Sequence, residues 1–562
     1  MKILTLIAFS LLISLTSCNK SGSRKTLVIP PDGDNGGILL PPDFGAIVVA
    51  DDLGAGRHLA VRDNGDIYVH LRRLNEQGHG IVALRDTSGN GKADIIRSFS
   101  EIAGTGIRLH QGYLYYSSRT QVFRSRLPSG SLLPDETIDT LVHMVDGAGH
   151  MEKPFDFDGR GNMYVNIGSL SNACEEVLRT GHSPGVDPCA ELETRAGIWR
   201  FADTGLNQHQ DLQLRYATGI RNAVALAWNR DTGKLYALQH GRDDLHRYWP
   251  EHYTAEQNLE LPAEIFFDIE EGDDLGWPYC YYDHFKGQHM LGPEYGGTGI
   301  ETGRCAGVKE PLLAFPGHWG PNDLLFYRGN QFPERYRNGA FIAFHGSWNR
   351  LGYDQAGYNV VFVPMSDGRP SGDWEIFADG FKGSMPIQSS GDALFRPCGL
   401  AEGPDGSLYV VDSQKGRIWR IMYYPGGLPQ TGLTVVPEYG SAQQQDLSGL
   451  ELTGSMAAGK TVYDTYCSAC HMPNGKGAPG MNPPLVGTDW VLGDRTRLIK
   501  VILNGLNEPV EIQGEIYQNI MASHAFLSDQ QVADVLTYIR ASFGNDADAI
   551  TPEEVTTVRA GK

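Results

Sequence analysis

Five consecutive residues near the end of the chain, Cys467-Ser468-Ala469-Cys470-His471, carry the most specific chemistry in the sequence. A C-x-x-C-H run attaches a c-type haem. Both thiols become thioethers on one edge of the porphyrin, and His471 becomes the proximal iron ligand. A dithiol redox pair or half of a zinc site would also use two cysteines. Neither needs the following His, and no second Cys/His pair lies nearby to complete a zinc tetrahedron. One haem carries one electron, so the remainder of the 562 residues is what feeds or drains it.

A second concentration of reactive residues lies in loops: Gly147 to His150, Ala217 to Asn222, Gln239 to Asp244, His345 to Arg350, and Phe395 to Gly399. If these loops converge, His150, Arg221, Arg242, Arg350 and Arg396 surround one cavity. Several guanidinium groups beside one His suit a multiply anionic ligand, because Arg pairs bidentately with carboxylate. His150 is then a candidate general base. The plainer alternative is that each Arg ties neighbouring elements together through backbone carbonyls.

Convergence requires a scaffold, and residues 41–424 supply a repeated one. An apolar stretch, an Asp/Asn/Gly turn and an alternating aromatic-bearing stretch recur at Leu59–Val69, Ile107–Ser117, Phe155–Ile167, Leu226–Leu238, Leu324–Phe344 and Leu400–Val411. Such turns between alternating strands signal hairpins. Six copies predict a six-bladed β-propeller, whose equivalent loops meet at one end of a central channel. A β-sandwich is the alternative, and it needs no sixfold likeness. Long loops are expected at about 170–220, 240–320 and 345–395.

The first eighteen residues read as an export signal: Lys2, an apolar run from Ile3 to Leu15, then Leu15-Thr16-Ser17-Cys18. That end resembles a bacterial lipobox, which implies cleavage before Cys18 and a lipid anchor on it; an ordinary signal peptide is the alternative. Both place the mature chain outside the cytoplasm, where haem c is attached; the lipoprotein reading puts it at the bacterial cell envelope, facing the periplasm. Residues 19–40 are rich in Gly, Pro, Ser and Asn and read as a flexible tether. The net charge of −20 argues against a nucleic-acid partner.

In an oxidising compartment the simplest disulfides are Cys174 with Cys189 and Cys280 with Cys305, each closing a long loop, with Cys398 left over as a buried thiol. Asp86 to Asp94 spaces oxygen-bearing side chains in a way that can wrap calcium, but it reads better as an Asn-Gly turn. A Pro/Gly/Gln/Ser-rich stretch, 425–453, reads as a linker. The segment 454–546 then shows helical patterning: a helix before Cys467, a second over Thr496–Leu503, and a last one beginning at Ser528 with Gln531 completing a capping box. Residues 547–562 read as a tail.

The motifs in residues 41–424 resemble the quinoprotein sugar dehydrogenase family, close to its sorbosone-dehydrogenase-like branch. The matching stretches are Ala217 to Trp228, Gln239 to Asp244, Leu275 to Tyr282, His345 to Arg350 and Leu400 to Ile421. Residues 454–546 resemble class I cytochrome c. The first resemblance implies a six-bladed propeller that binds pyrroloquinoline quinone (PQQ), a tricarboxylate, with calcium. It places His150 as the base, Arg221 and Asn222 beside the quinone, the carbonyls of Gly241 and Arg242 on calcium, and Arg396 and Arg350 on PQQ carboxylates. Two positions depart from the glucose enzymes: Gly149 stands where they carry an Asp, and Gly104-Thr105-Gly106 lacks their Gln. The cytochrome resemblance implies Met521 as the sixth iron ligand, with His524 as its competitor.

The implied chain is an all-β propeller followed by a small all-α cytochrome domain. His150 takes the hydroxyl proton of a sugar or hydrated aldehyde, hydride passes to PQQ, and Arg221 stabilises the oxygen that becomes negative. Electrons leave through haem c to a soluble or membrane-bound respiratory acceptor. Two rivals remain: a propeller without PQQ that only docks a partner onto the cytochrome, and a calcium-dependent lactonase.

Overall fold

The computed structural model describes residues 29–147, 149–350, 353–383, 386–428, 455–472, 474–477, 482–518, 520–521 and 523–561. The export signal, Cys18 and the linker residues 429–453 lie outside them.

Each of the six anticipated hairpins is the innermost pair of a four-stranded antiparallel sheet. In blade 1 the strands are Gly56–Val61, Ile67–Leu71, Ile81–Arg85 and Ile95–Phe99. Blades 2 to 5 begin at Ile107, Phe155, Ala225 and Pro321, and blade 2 gains a parallel edge strand, Gln208–His209. Blade 6 joins Pro397–Glu402, Leu408–Asp412 and Ile418–Tyr423 to Phe44–Ala50 from the start of the chain, pairing Phe44 with Tyr423. First strands touch their neighbours around a closed ring, including blade 6 against blade 1. This is a six-bladed propeller.

The apolar core is divided among the six seams between blades, as expected when each sheet buries both faces. The seam between blades 5 and 6 packs Phe341, Phe362 and Phe377 against Phe44 and Trp419. That between blades 3 and 4 packs Ile198 and Ala217 against Leu226 and Phe267. The described part of the segment read as a loose tether, residues 29–40, is packed on the propeller: Ile38 is buried in the 5–6 seam, Asp32 accepts from Val48 N at 2.7 Å, and Leu39 bridges to Asp379. Asn35–Gly37 forms a tight turn capped by Asp34.

The excursions on one end carry the loops of interest. Cys174–Cys189 and Cys280–Cys305 are disulfide-bonded, as the loop-closing reading expected. Cys398 is a buried thiol with Arg57 Nη1 3.7 Å from its Sγ. In the Asp86–Asp94 turn both carboxylates point inward, Asp86 accepting from Ser88, Gly89 and Gly91 and Asp94 from Thr87 and Ser88.

The haem domain has helices Ser455–Val462, Ser468–His471, Asp489–Leu492, Arg495–Asn504 and Asp529–Ala541. Ser528 and Gln531 form the anticipated capping box, and Asp494 caps the helix that ends before Gly505. The domain is helical, as anticipated, with one short hairpin of Val510–Ile512 and Glu515–Tyr517. One correction applies. Residues 547–562 are not a tail: Pro552–Arg559 is a capped helix whose Val555 is buried against the domain core.

Candidate functional site

The propeller's loop end opens on a cavity of about 150 Å3. Five arginines line it: Arg57, Arg72, Arg179, Arg221 and Arg396. His150, Asn222 and Gly241 line it too, so most of the anticipated site is brought together. His150 leaves the loop through Gly149, whose φ is +90°; a Cβ there would lie 2.6 Å from Leu170 Cα, which is why this position takes Gly. The His150 Nδ1 lies 3.0 Å from the Ser169 carbonyl and so carries the proton donated to it, leaving Nε2 as the free acceptor. Desolvation and the Arg221 guanidinium hold the imidazole down at about 3, keeping it neutral. Behind it, Lys153 is buried and donates to the carbonyls of His150 and Met151.

Asp243 gathers two of the guanidinium groups. It accepts from Arg221 at 2.7 Å and Arg179 at 3.1 Å, and Asn349 approaches its other oxygen at 3.3 Å. Burial opposes its charge, but Arg221 and Arg179 hold the carboxyl well below the usual range. Arg57 donates to Glu152 at 2.7 Å; burial opposes that charge too, yet Arg57 keeps Glu152 down at about 2. Glu264, the third carboxyl, is pushed up to about 8 by burial, despite N–H groups of Gly320 and Gly241 directed at it. The Arg396 guanidinium donates to the carbonyl and Nδ1 of His345 and to the Gly346 carbonyl, with no carboxylate partner among the described residues, and burial lowers it to about 10, with Arg72 and Arg57 adding to the shift. Four of the five guanidinium groups meet a carboxylate, Arg221 and Arg179 on Asp243, Arg57 on Glu152 and Arg72 on Glu515, while Arg396 meets none among the described residues, a surplus of positive charge that suits an anionic ligand. Arg57 Nε and Ser390 Oγ are buried there without partners among the described residues.

Two anticipated residues stand elsewhere. Arg350 ties loops together, donating to the Leu259 carbonyl at 2.7 Å and pairing with Glu260. The Arg242 side chain turns away to Glu294. The Gly241 carbonyl accepts from Arg221 Nη1 at 2.8 Å, and no group of three or more His, Cys, Asp or Glu side chains suited to a metal occurs among the described residues. The anticipated calcium ligands are the backbone carbonyls of Gly241 and Arg242, and the first of these is engaged by Arg221.

In the haem domain a second, largely apolar cavity is lined by Cys467, Cys470, His471 and Met521, with His524 at its wall. His471 Nδ1 bonds to the Pro483 carbonyl at 2.9 Å, which turns Nε2 toward the crevice. The residues fit a haem held between His471 and Met521. This domain sits on the loop end of the propeller. Glu515 pairs with both Arg72 and Arg73, Asp392 accepts from Asn474 and Lys476, and Arg247 Nη1 lies 3.6 Å from Cys470 Sγ. Arg179 and Ile520 line both cavities.

Arg57, Arg72 and Arg179 were not anticipated. Arg57 lies within a strand and Arg179 in the disulfide-closed excursion; only the doubled Arg72-Arg73 at a strand end was a visible signal.

A family model described as TrAA12-like matches residues 39–424, and one described as cytochrome c matches 456–542. The propeller superposes on the holo form of the pyranose dehydrogenase PQQ domain from Coprinopsis cinerea with a TM-score of 0.54 and 19% identity, over 68% of this chain and 97% of that one. It superposes on a calcium structure of a Trichoderma reesei family AA12 protein with a TM-score of 0.56 and 19% identity, over 69% and 97%. An uncharacterised Borreliella burgdorferi protein is 28% identical over 46% of this chain, which spans 60% of that protein's length. Cytochrome c-552 of Thermus thermophilus is 39% identical over 21% of this chain and 82% of its own.

Proposed function

Because the chain belongs to the TrAA12-like family over residues 39–424 and ends in a cytochrome c domain, we propose that it is a quinohaemoprotein dehydrogenase for a sugar or a sugar-derived aldehyde. The observation that carries this reading is the common wall of the two cavities, Arg179 and Ile520, which puts a charge-matched cofactor site next to the haem crevice. Bound PQQ would supply a two-electron acceptor. Arg396, Arg221 and Asn222 are the residues to hold it, and the surplus guanidinium charge suits its carboxylates. His150, neutral and with Nε2 free, takes the proton from the substrate hydroxyl. Asp243 fixes the guanidinium of Arg221 beside the reacting oxygen. The haem domain, docked over the cavity mouth, receives electrons singly and passes them to an external respiratory acceptor. Export and a lipid anchor through Cys18 complete the proposal.

Purified protein is supplied with PQQ and calcium, mixed with a panel of sugars and aldehydes, and followed by its haem spectrum. Substrate-dependent haem reduction that requires PQQ is the expected result. A haem that stays oxidised throughout, with no PQQ binding, refutes the assignment.

A further inference from the structure

Gln518 belongs to the haem domain yet lines the propeller cavity. It is only 8% exposed, and its amide oxygen Oε1 has no hydrogen-bond partner among the described residues. Burying an amide carbonyl without a donor is unfavourable, so an orphan of this kind marks a place where a donor arrives with a ligand. Ser390 Oγ and Arg57 Nε, across the same cavity, are in the same state. The three together offer an acceptor, a hydroxyl that plays either role, and a donor. Hydroxyl groups satisfy such a mixture, because each donates once and accepts as well.

Gln518 is held in register by docking. It directly follows the strand Glu515–Tyr517, and Glu515 is gripped by Arg72 and Arg73. Ile520, two residues on, supplies apolar wall to the same cavity.

We propose that the substrate pocket is shared between the domains, and that Gln518 accepts a hydrogen bond from a hydroxyl of a polyhydroxylated substrate. This rests on the sugar-oxidation reading and extends it: the electron-accepting domain also sets specificity. Gln518→Leu in the full chain removes the acceptor while nearly keeping volume. With the sugar that reduces the wild-type haem fastest, KM rises about tenfold, more than kcat falls. The haem spectrum and reduction by dithionite stay as in the wild type. Gln518→Glu, which keeps an acceptor, recovers most of the affinity. An unchanged KM in the Leu variant overturns the proposal, as does a loss accompanied by an altered haem spectrum. Should no sugar reduce the wild-type haem, the dehydrogenase reading fails, and the pocket is judged by sugar-induced melting shifts. A shift present in the wild type and reduced in Gln518→Leu upholds it; equal shifts, or none, overturn it.

Discussion

Asp243→Asn removes the carboxylate that two guanidinium groups share. Asp243 is 6% exposed and Arg221 2%, so Arg221 regains no water when its partner is neutralised, whereas Arg179 is partly exposed and keeps Asp244 at 3.9 Å. Breaking a buried ion pair by deleting one member costs about 3–5 kcal/mol, mostly from the charge left behind. The ring from Phe44 to Tyr423 has an unfolding entropy of roughly 0.8 kcal/mol/K, taking about 2.1 cal/mol/K per residue. The propeller transition should therefore fall by about 4–6 °C in a calorimetric scan of unloaded protein. The arginines left bare are cationic partners for an anionic ligand. PQQ should thus raise the melting temperature of the variant more than that of the wild type, and the deficit should narrow on loading. A shift under about 1 °C would sink the claim that Asp243 is the counter-charge of the site. A deficit unaltered by PQQ would sink the claim that the arginines face a carboxylate ligand.

His150→Gln should slow substrate-driven haem reduction by about 10²–10⁴, the usual contribution of a general base, while dithionite still reduces the haem at the wild-type rate. Met521→Ala should open the sixth iron position, so that ferrous protein binds carbon monoxide where the wild type does not. Acid should destabilise the propeller through His70, His150 and His240, which burial holds at about 4, 3 and 4 when folded, below their unfolded value of 6.5. Below pH 6.5 the unfolded chain takes up protons that the native one refuses, a loss of about 1.4 kcal/mol for each at pH 5.5. Glu264 works in the opposite sense: raised to about 8 from 4.5, it favours the fold at low pH and loses that contribution as pH rises through 8. Glu264→Gln should therefore deepen the fall in melting temperature between pH 7.5 and 5.5, by about 2.5 kcal/mol of stability; an unchanged pH profile would refute the assignment of that proton.

The inner hairpin of every blade was legible because its turn chemistry is local: Asp63-Asn64-Gly65 and its counterparts need positive φ at Gly and alternation on both sides. The outer strands were not. Ile95–Phe99 has no fully buried residue and Arg215–Thr218 is short, so neither shows a two-residue period; tertiary pairing makes them strands. His150, Arg221 and Arg396 could be found because each sits at the end of a recognisable hairpin. Direction was not readable: Arg350 and Arg242 look like their neighbours in sequence, and only packing reveals that carbonyls and Glu294 claim them. Gln518 was out of reach altogether, since no local pattern reports which face of one domain covers the mouth of another.

Closing the ring with Phe44–Ala50 has a consequence for how the protein is made. That strand emerges early and has no partner until Ile418–Tyr423 follows at the end of the propeller. Blade 6 is therefore the last to be completed, after the largest loop in the chain has been closed. Until then the seam between blades 5 and 6, with Phe44, Phe341, Phe377 and Trp419, is open to solvent. An unfinished chain presents bare strand edges beside a row of aromatic rings, the combination most prone to association with other copies. The same pairing brings Tyr424 to the Ile29 carbonyl at 2.8 Å. The two ends of the finished ring thus lie side by side on one blade.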